Sequence, residues 1–296
     1  MKEHKYILII LTSIMLLILF LNTYNYKKQI SINHEILSKE LSNCNNNSIS
    51  EKQEYCERIS VLVNEKPDFY TTFMNIFILG FRNYAPLFFI IIAIPTIFIT
   101  SKYYNKNIIF NFLQREKYKQ YLLKILYKTY KSLLIFIIPI MVAFLMCYLF
   151  SKSFDFSYSL KYSSVVWSKS LLAKPAEFLI LYLFVVMLYT AMYVNICLIV
   201  AYKFTDFWKT LICAFLTIIG TEMFLEIFIN NILFSKILNS EYGNAFNILS
   251  IITFDDSWGL LTLIGLPIIY FLFTSFIIII LYKNKERFLC ELSEER

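Results

Sequence analysis

Long apolar runs separated by polar segments are the dominant pattern of this chain. Six of these runs approach the length that a helix needs to cross a bilayer, about 20 residues at 1.5 Å per residue. The runs cover residues 6–21, 85–100, 133–150, 178–200, 207–229 and 260–281. The pattern predicts an all-α membrane protein in which a single domain, residues 1–296, contains six transmembrane helices.

The polar segment after the first run predicts an external loop over residues 22–68. Asn22-Thr23-Tyr24-Asn25 follows the run where a signal peptide would have small residues for cleavage, so we expect the first helix to be retained. The loop is too hydrophilic to lie in the membrane. It contains Cys44 and Cys56, which could form a disulfide bond if the loop is outside the cell.

Two other segments are intermediate between spans and loops. Residues 69–80 are apolar and are separated from the second run by Phe81-Arg82-Asn83-Tyr84. Either one long kinked span or a short interfacial helix leading into a span fits this pattern. Residues 230–254 are too polar to cross a membrane and too apolar for an ordinary loop.

The distribution of charge predicts the orientation. Residues 101–131 contain eight basic residues and one acidic residue, so this segment carries +7, the formal net charge of the whole protein. Because an excess of Lys and Arg marks cytoplasmic segments, we expect this segment in the cytoplasm. With six spans, both termini are then cytoplasmic as well.

Composition excludes several classes of protein. The chain is 58% hydrophobic and only 17% charged, whereas about a quarter of the residues of a soluble domain are charged. With only two histidines, the chain lacks the residues that a His-centred catalytic triad or a His-ligated metal site would need. Abundant Ile, Lys, Asn and Tyr suggest a bacterial source, and a multi-pass protein of the bacterial cell membrane is expected.

Apolar residues recur at helical spacing on both sides of a polar break in the basic segment. The break is Gln114-Arg115-Glu116-Lys117. The apolar residues are Ile108, Ile109, Phe112 and Leu113 before it, and Tyr118, Leu122, Ile125 and Leu126 after it. This pattern predicts two amphipathic helices that lie along the inner membrane face and present the break to the cytoplasm. The alternative is an ordinary basic loop that binds anionic lipid.

This segment resembles the coupling region of permease subunits of type-2 ATP-binding-cassette (ABC) exporters, in particular the smaller bacterial members. The residues that carry the resemblance are Arg115, Tyr118, Leu122, Leu123 and Lys124. A Pro often opens the turn in the family, and Gln114 or its neighbours replace it here. The family has six spans, a cytoplasmic coupling helix between spans two and three, and a membrane-dipping external segment between spans five and six.

The resemblance implies a protein that is not itself an enzyme. The chain lacks a Walker phosphate-binding loop, so ATP and Mg would be bound by a separate ABC ATPase subunit. The residues implied to contact that subunit are Phe112, Gln114, Arg115, Glu116, Lys117 and Tyr118. A second copy of the permease or a paralogous permease would complete the exporter in the lipid bilayer. No cofactor in this chain and no nucleic-acid partner are implied.

The composition of the predicted spans indicates the kind of substrate. The spans are rich in Ile and aromatic residues and show no narrow polar path. An amphiphilic substrate is therefore expected, either an antimicrobial peptide or a lipid-like molecule. Within the fourth run, Asn195 is expected to hydrogen-bond between helices.

Glu222 and Glu226 form the second candidate site. At positions i and i+4 they share a helix face, roughly 21 and 27 Å along the fifth span. They are interpreted either as a proton-relay or substrate-contacting pair, or as the lining of a water-filled mouth. Two other functions stay open: a proton- or ion-coupled carrier that uses this pair, and a membrane sensor or immunity protein that binds a ligand through its external loop.

Overall fold

The computed structural model describes residues 2–44, 56, 60, 68–79, 85–104, 109, 117–152, 154, 174–240, 246 and 260–283. In these residues the chain is helical apart from short connections, and no strand occurs. The described helices are α1 (Lys2–Cys44), α2 (Phe69–Phe73, continued by π-helical turns over Met74–Leu79), α3 (Ala85–Tyr103), α4 (Tyr118–Lys131), α5 (Leu134–Ser151), α6 (Pro175–Lys203), α7 (Phe207–Phe224, continued by π-helical turns over Leu225–Ile237) and α8 (Leu260–Lys283).

Each of the six predicted spans corresponds to one helix, and the third, which is predicted from residue 133, begins one residue later at Leu134. Among the described residues, four helices are long and apolar enough to cross a membrane, and these cover Tyr6–Ser42, Leu179–Lys203, Phe207–Ile237 and Ile264–Lys283. The apolar parts of α3 and α5, Phe88–Tyr103 and Ile137–Ser151, are shorter. The all-α fold and the long apolar helices of a multi-pass membrane protein are therefore confirmed for the described residues. The total of six spans stays a prediction.

α6 is the central helix of the described bundle. It packs against α3, α7 and α8 and also touches α4. Because α6 is apolar around most of its circumference, it can be covered on several sides at once. Its buried residues include Val194, Asn195 and Leu198, none of which is exposed.

Contacts at the two ends of the bundle show that its long helices alternate in direction. At one end, Tyr282 of α8 packs against Tyr202 near the end of α6 and against Tyr104 after α3. The beginning of α1 lines a groove together with Lys102 and Tyr103 at the end of α3, and farther along α1 Tyr26 packs against Phe150 near the end of α5. The beginning of α1 and the end of α8 consequently lie at the same end of the bundle.

Helix α1 extends well beyond the predicted first span. Residues 22–44, predicted as the first part of an external loop, continue the same helix. Hydropathy marks only the part of a helix that is apolar, whereas the helix itself continues because residues 2–44 contain no Gly or Pro.

The two intermediate segments are also helical where they are described. Asp68 caps the beginning of α2 by accepting a hydrogen bond from the amide of Thr71, with a distance of 2.8 Å between Oδ1 and N. Together with its π-helical turns α2 is about 16 Å long. Residues 80–84, which separate α2 from α3, lie outside the described residues, so both interpretations of this segment stay predictions. Residues 230–237, the first part of the predicted membrane-dipping segment, continue α7. Most of the remainder of that segment lies outside the described residues.

Candidate functional site

Helix α4 is an amphipathic basic helix that begins directly after the predicted polar break. Tyr121, Ile125 and Thr129 are buried at successive i, i+4 positions, so they form one face. Lys119 and Tyr127 are exposed on other sides of the helix. The helical spacing predicted from Tyr118 onwards is therefore present in the structure.

Two of the six predicted coupling residues lie within the described part of the chain. Lys117 is exposed and has extended backbone dihedral angles, φ −65° and ψ 142°, so α4 begins directly after it. Tyr118 is the first residue of α4. The other four, Phe112, Gln114, Arg115 and Glu116, lie outside the described residues, so the role of this group in coupling stays a prediction.

The buried face of α4 is fixed to the end of α3. The hydroxyl of Tyr121 donates a hydrogen bond to the backbone carbonyl of Tyr103. The ammonium of Lys128 donates to the hydroxyl of Tyr103, and it also lies 4.4 Å from the centre of that ring. A cation over an aromatic ring contributes about 0.5–2 kcal/mol, more when water is excluded. Tyr103 thus receives two separate contacts from α4.

The beginning of α4 is fixed to a group of aromatic rings that we call the tyrosine cluster: Tyr104, Tyr118, Tyr202 and Tyr282. The hydroxyl of Tyr118 donates to the carbonyl of Tyr282 over 3.1 Å. The hydroxyl of Tyr282 donates to the carbonyl of Leu198 over 2.8 Å. Centroid distances from the Tyr282 ring are 5.2 Å to Tyr202 and 5.7 Å to Tyr104. The cluster therefore joins the end of α3, the beginning of α4 and the ends of α6 and α8.

Near its other end α4 is joined to the bundle by a buried polar network. The hydroxyl of Tyr130 donates to Oδ1 of Asn195. The amide nitrogen of Asn195 donates to Thr274 Oγ1 over 3.0 Å and to Ser275 Oγ over 2.9 Å. Asn195 is fully buried. The prediction that it bonds between helices is confirmed, and the network connects α4, α6 and α8.

Burial keeps the tyrosines of this region protonated. It raises the pKa of Tyr118 to about 12, with a smaller contribution from the nearby Tyr202. The pKa values of Tyr104 and Tyr121 are also raised, mainly by burial. A desolvated hydroxyl loses its proton less readily because the charged form is poorly solvated. Near neutral pH these hydroxyls are therefore available as hydrogen-bond donors.

The predicted acidic pair lies on α7 in two different surroundings. Glu222 is half-buried and close enough to interact electrostatically with Tyr189, Tyr193 and Tyr270 of α6 and α8. Glu226 is exposed and accepts a hydrogen bond from the amide of Asn230, at 3.3 Å. The two carboxylates share a face of α7, but only Glu222 points towards the centre of the bundle.

The cysteines divide between the helices and the polar segment. Cys147 and Cys197 are buried free thiols, and Cys213 is a partly exposed one. Cys56 is in a disulfide bond. The side chain of Cys44 lies outside the described part of the chain, so its pairing with Cys56 stays a prediction. Within the described residues, no group of three or more His, Cys, Asp and Glu side chains could hold a metal ion.

Sequence reasoning did not find the tyrosine cluster. The chain has 22 Tyr, and a tyrosine at the end of an apolar run is most simply interpreted as an interfacial anchor. A weak signal was available, because Tyr103, Tyr104, Tyr202 and Tyr282 all lie within two residues of the end of an apolar helix. Which of these rings meet depends on the packing of helices that are distant in the sequence.

Comparison with protein-family models, with curated proteins and with solved structures found no match.

Proposed function

We propose that this chain is the membrane-spanning permease subunit of an ATP-driven exporter, energised by a separate ABC ATPase. The observation that carries the proposal is the attachment of α4 to the bundle at both of its ends. Tyr118 bonds to α8 at the beginning of α4, and Tyr130 bonds to Asn195 of α6 near its end. A basic helix held in this way is suited to transmit a force from a partner to the membrane helices.

The dimensions of α4 suit it to transmit a displacement. Its 14 residues span about 21 Å as a rigid helix. If the ATPase engages the break at residues 114–117, a shift of that break moves the tyrosine cluster and the Asn195 network together. Both involve α6 and α8, and the tyrosine cluster also includes Tyr104 at the end of α3, so these three helices would shift together with α4. Rigid displacement of packed helices is a common route to alternating access.

The proposed assembly contains components beyond this chain. ATP and Mg would be bound by the partner ATPase, and a second copy of this permease or a paralogous permease would complete the pathway. The alternating direction of the helices supports a topology with six spans and both termini in the cytoplasm. With the basic segment inside, the protein would lie in the bacterial cell membrane, without a nucleic-acid partner.

The proposed substrate is amphiphilic, either an antimicrobial peptide or a lipid-like molecule. Support comes from the large exposed apolar side chains of α7, which include Ile212, Leu216 and Phe228. Such a surface suits a substrate that enters from, or leaves to, the bilayer. The same helix also carries the carboxyl group of the half-buried Glu222.

A secondary carrier driven by protons or ions is the second candidate function. It is favoured by one observation, the position of Glu222 beside Tyr189, Tyr193 and Tyr270. An ionisable side chain at membrane depth is a functional candidate by default. In this case Glu222 would carry the proton, while Glu226, which is exposed, would play the smaller part.

The two functions are separated by charge changes at the two sites. In vesicles that contain the permease and its copurified ATPase, Arg115→Glu should uncouple ATP hydrolysis from transport, because it places a negative charge where an acidic partner is expected. Glu222→Gln with Glu226→Gln should leave the ATPase bound and ATP-driven transport present.

The matched control is Lys28→Glu, the same reversal of charge on an exposed part of α1 that lies on the predicted external side. It should transport as the unchanged protein does. Normal transport by Arg115→Glu, loss of transport in the double Gln variant and uptake driven by a pH gradient alone would reject the permease and support the carrier.

A further inference from the structure

A groove of about 730 Å³ lies between α1, α3, α4 and the beginning of α5. One part of its lining is apolar and includes Ile9, Phe98, Leu134 and Ile138. Another part is lined by three basic residues, Lys102, Lys128 and Lys131. The groove therefore combines an apolar wall with a concentrated positive charge.

The three lysines come from two helix ends that the fold brings together. Lys102 is in the last turn of α3, and Lys128 and Lys131 are in the last turn of α4. Among the residues that the structure describes, those that line the groove include no Asp or Glu. Lys102 and Lys131 are exposed, whereas Lys128 is held against the ring of Tyr103. Two exposed basic residues thus line a groove that, in the described part of the chain, has no acidic residue in its lining.

The apolar wall lies partly on the outside of the bundle. Ile9 is 61% exposed, and Leu134 and Ile138 are each 51% exposed. In a bilayer these side chains are in contact with acyl chains, and the lysines at the end of the same groove lie at the level of the headgroups. A soluble anion would use the charges and leave the apolar wall unoccupied. A neutral lipid would use the wall and leave the charges uncompensated.

We propose that this groove binds one anionic phospholipid of the inner leaflet. Its phosphate lies between Lys102 and Lys131, and one acyl chain follows Ile9 and Ile138. The volume accommodates the headgroup and part of the acyl chains, while the remainder stays in the bilayer. Basic pockets between membrane helices on the cytoplasmic side bind anionic headgroups in this way.

The bound lipid would connect parts of the molecule that carry the proposed coupling. It contacts α1, the end of α3, the end of α4 and the beginning of α5, so it stabilises α4 in its attached position. The inference requires the groove to face the inner leaflet, but it requires neither an ATPase nor transport. Failure of the lipid site would therefore leave the exporter proposal standing, and the reverse also holds.

The test is binding of phosphatidylglycerol to the purified full-length protein, measured by native mass spectrometry in a neutral detergent, with phosphatidylcholine as the comparison lipid. The unchanged protein should retain one phosphatidylglycerol in preference to phosphatidylcholine. Lys102→Gln with Lys131→Gln should weaken this binding roughly thirtyfold, the factor expected when two charges near a lipid surface are lost. Lys102→Arg with Lys131→Arg should preserve it.

The matched control is Lys119→Gln with Lys203→Gln, which removes two exposed charges from α4 and the end of α6 without touching the groove. It should bind phosphatidylglycerol as the unchanged protein does. Equal binding of the two lipids, or equal loss in the groove and control variants, would overturn the proposal. Displacement of the lipid by millimolar glycerol phosphate would assign the lysines to a soluble phosphate and would overturn it too.

Discussion

Helices α6 and α7 follow each other in the chain and are both long and apolar, yet the structure uses them differently. In the most apolar 18-residue window of each helix, 72% of the residues are buried in α6 and 11% in α7. α7 buries only a narrow stripe, Thr210, Ala214 and Ile218, against its neighbours. Hydropathy shows that a helix suits a membrane, but it does not show whether the helix faces lipid or protein.

The polar side chains of α6 and α7 differ in the same way as the burial of the two helices. In α6, Asn195 bonds to α4 and α8. In α7, the exposed Glu226 is bonded within its own helix by Asn230. The polar side chain at the centre of α6 thus connects helices, which is the role that the proposed mechanism requires of α6. The outer face of α7 is left for lipid, for substrate or for a second permease.

The largest expected effect comes from removing apolar volume from each helix. Leu198 of α6 is fully buried, whereas Leu216 of α7 is 60% exposed. Leu198→Ala should lower the free energy of unfolding by about 2–5 kcal/mol, because it leaves a cavity in a packed core. Leu216→Ala should change it by less than about 0.5 kcal/mol. Thermal unfolding of the two variants in the same detergent measures the difference.

A large effect of Leu216→Ala would mean that α7 is covered in the folded protein. If the loss also depends on protein concentration, a second copy covers it, since association makes apparent stability depend on concentration. If Leu198→Ala has no effect, α6 is not the centre of the bundle.

The second-largest expected effect comes from disrupting the polar network around Asn195. Asn195→Leu leaves the hydroxyls of Tyr130, Thr274 and Ser275 without their amide partner, and we expect a loss of about 2 kcal/mol, since an unsatisfied buried polar group costs about 1–3 kcal/mol. Asn231→Leu makes the same change at an exposed position of α7 and should be nearly neutral. Urea unfolding followed by tryptophan fluorescence measures both. Equal losses would contradict the distinction between the two helices.

Much of this comparison could not be predicted from the sequence, for identifiable reasons. The apolar runs placed the helices, and the spacing of Tyr118, Leu122 and Ile125 predicted the amphipathic form of α4. The apolar runs predict ends for α1 and α7 that are too early, because the hydropathy falls before the helix ends. The partners of Asn195 and the groove near Lys102 arise from contacts between residues more than 20 positions apart. No local pattern encodes such contacts.

The smallest expected effect concerns the attachment of α4 itself. Tyr118→Phe removes the hydroxyl that donates to Tyr282 but keeps the ring, and it should lower the free energy of unfolding by about 1 kcal/mol, a typical value for one hydrogen bond. Tyr127→Phe is the matched control on α4, because Tyr127 is 67% exposed, and it should be neutral. If the two variants unfold alike, the bond from Tyr118 does not stabilise the attachment.

The same variant predicts a dependence on pH. Burial raises the pKa of Tyr118 from its ordinary value of 10.0 to about 12, so the folded protein keeps a proton that the unfolded chain loses. Stability from this hydroxyl is fully present below pH 10 and is lost as the pH rises from 10 to 12, because the unfolded state then binds fewer protons. The difference in unfolding temperature between the unchanged protein and Tyr118→Phe should therefore shrink between pH 10 and pH 12. A difference that stays constant over this range would mean that Tyr118 is not desolvated by its contact with α8, and that α4 is held by Tyr121 and Tyr130 instead.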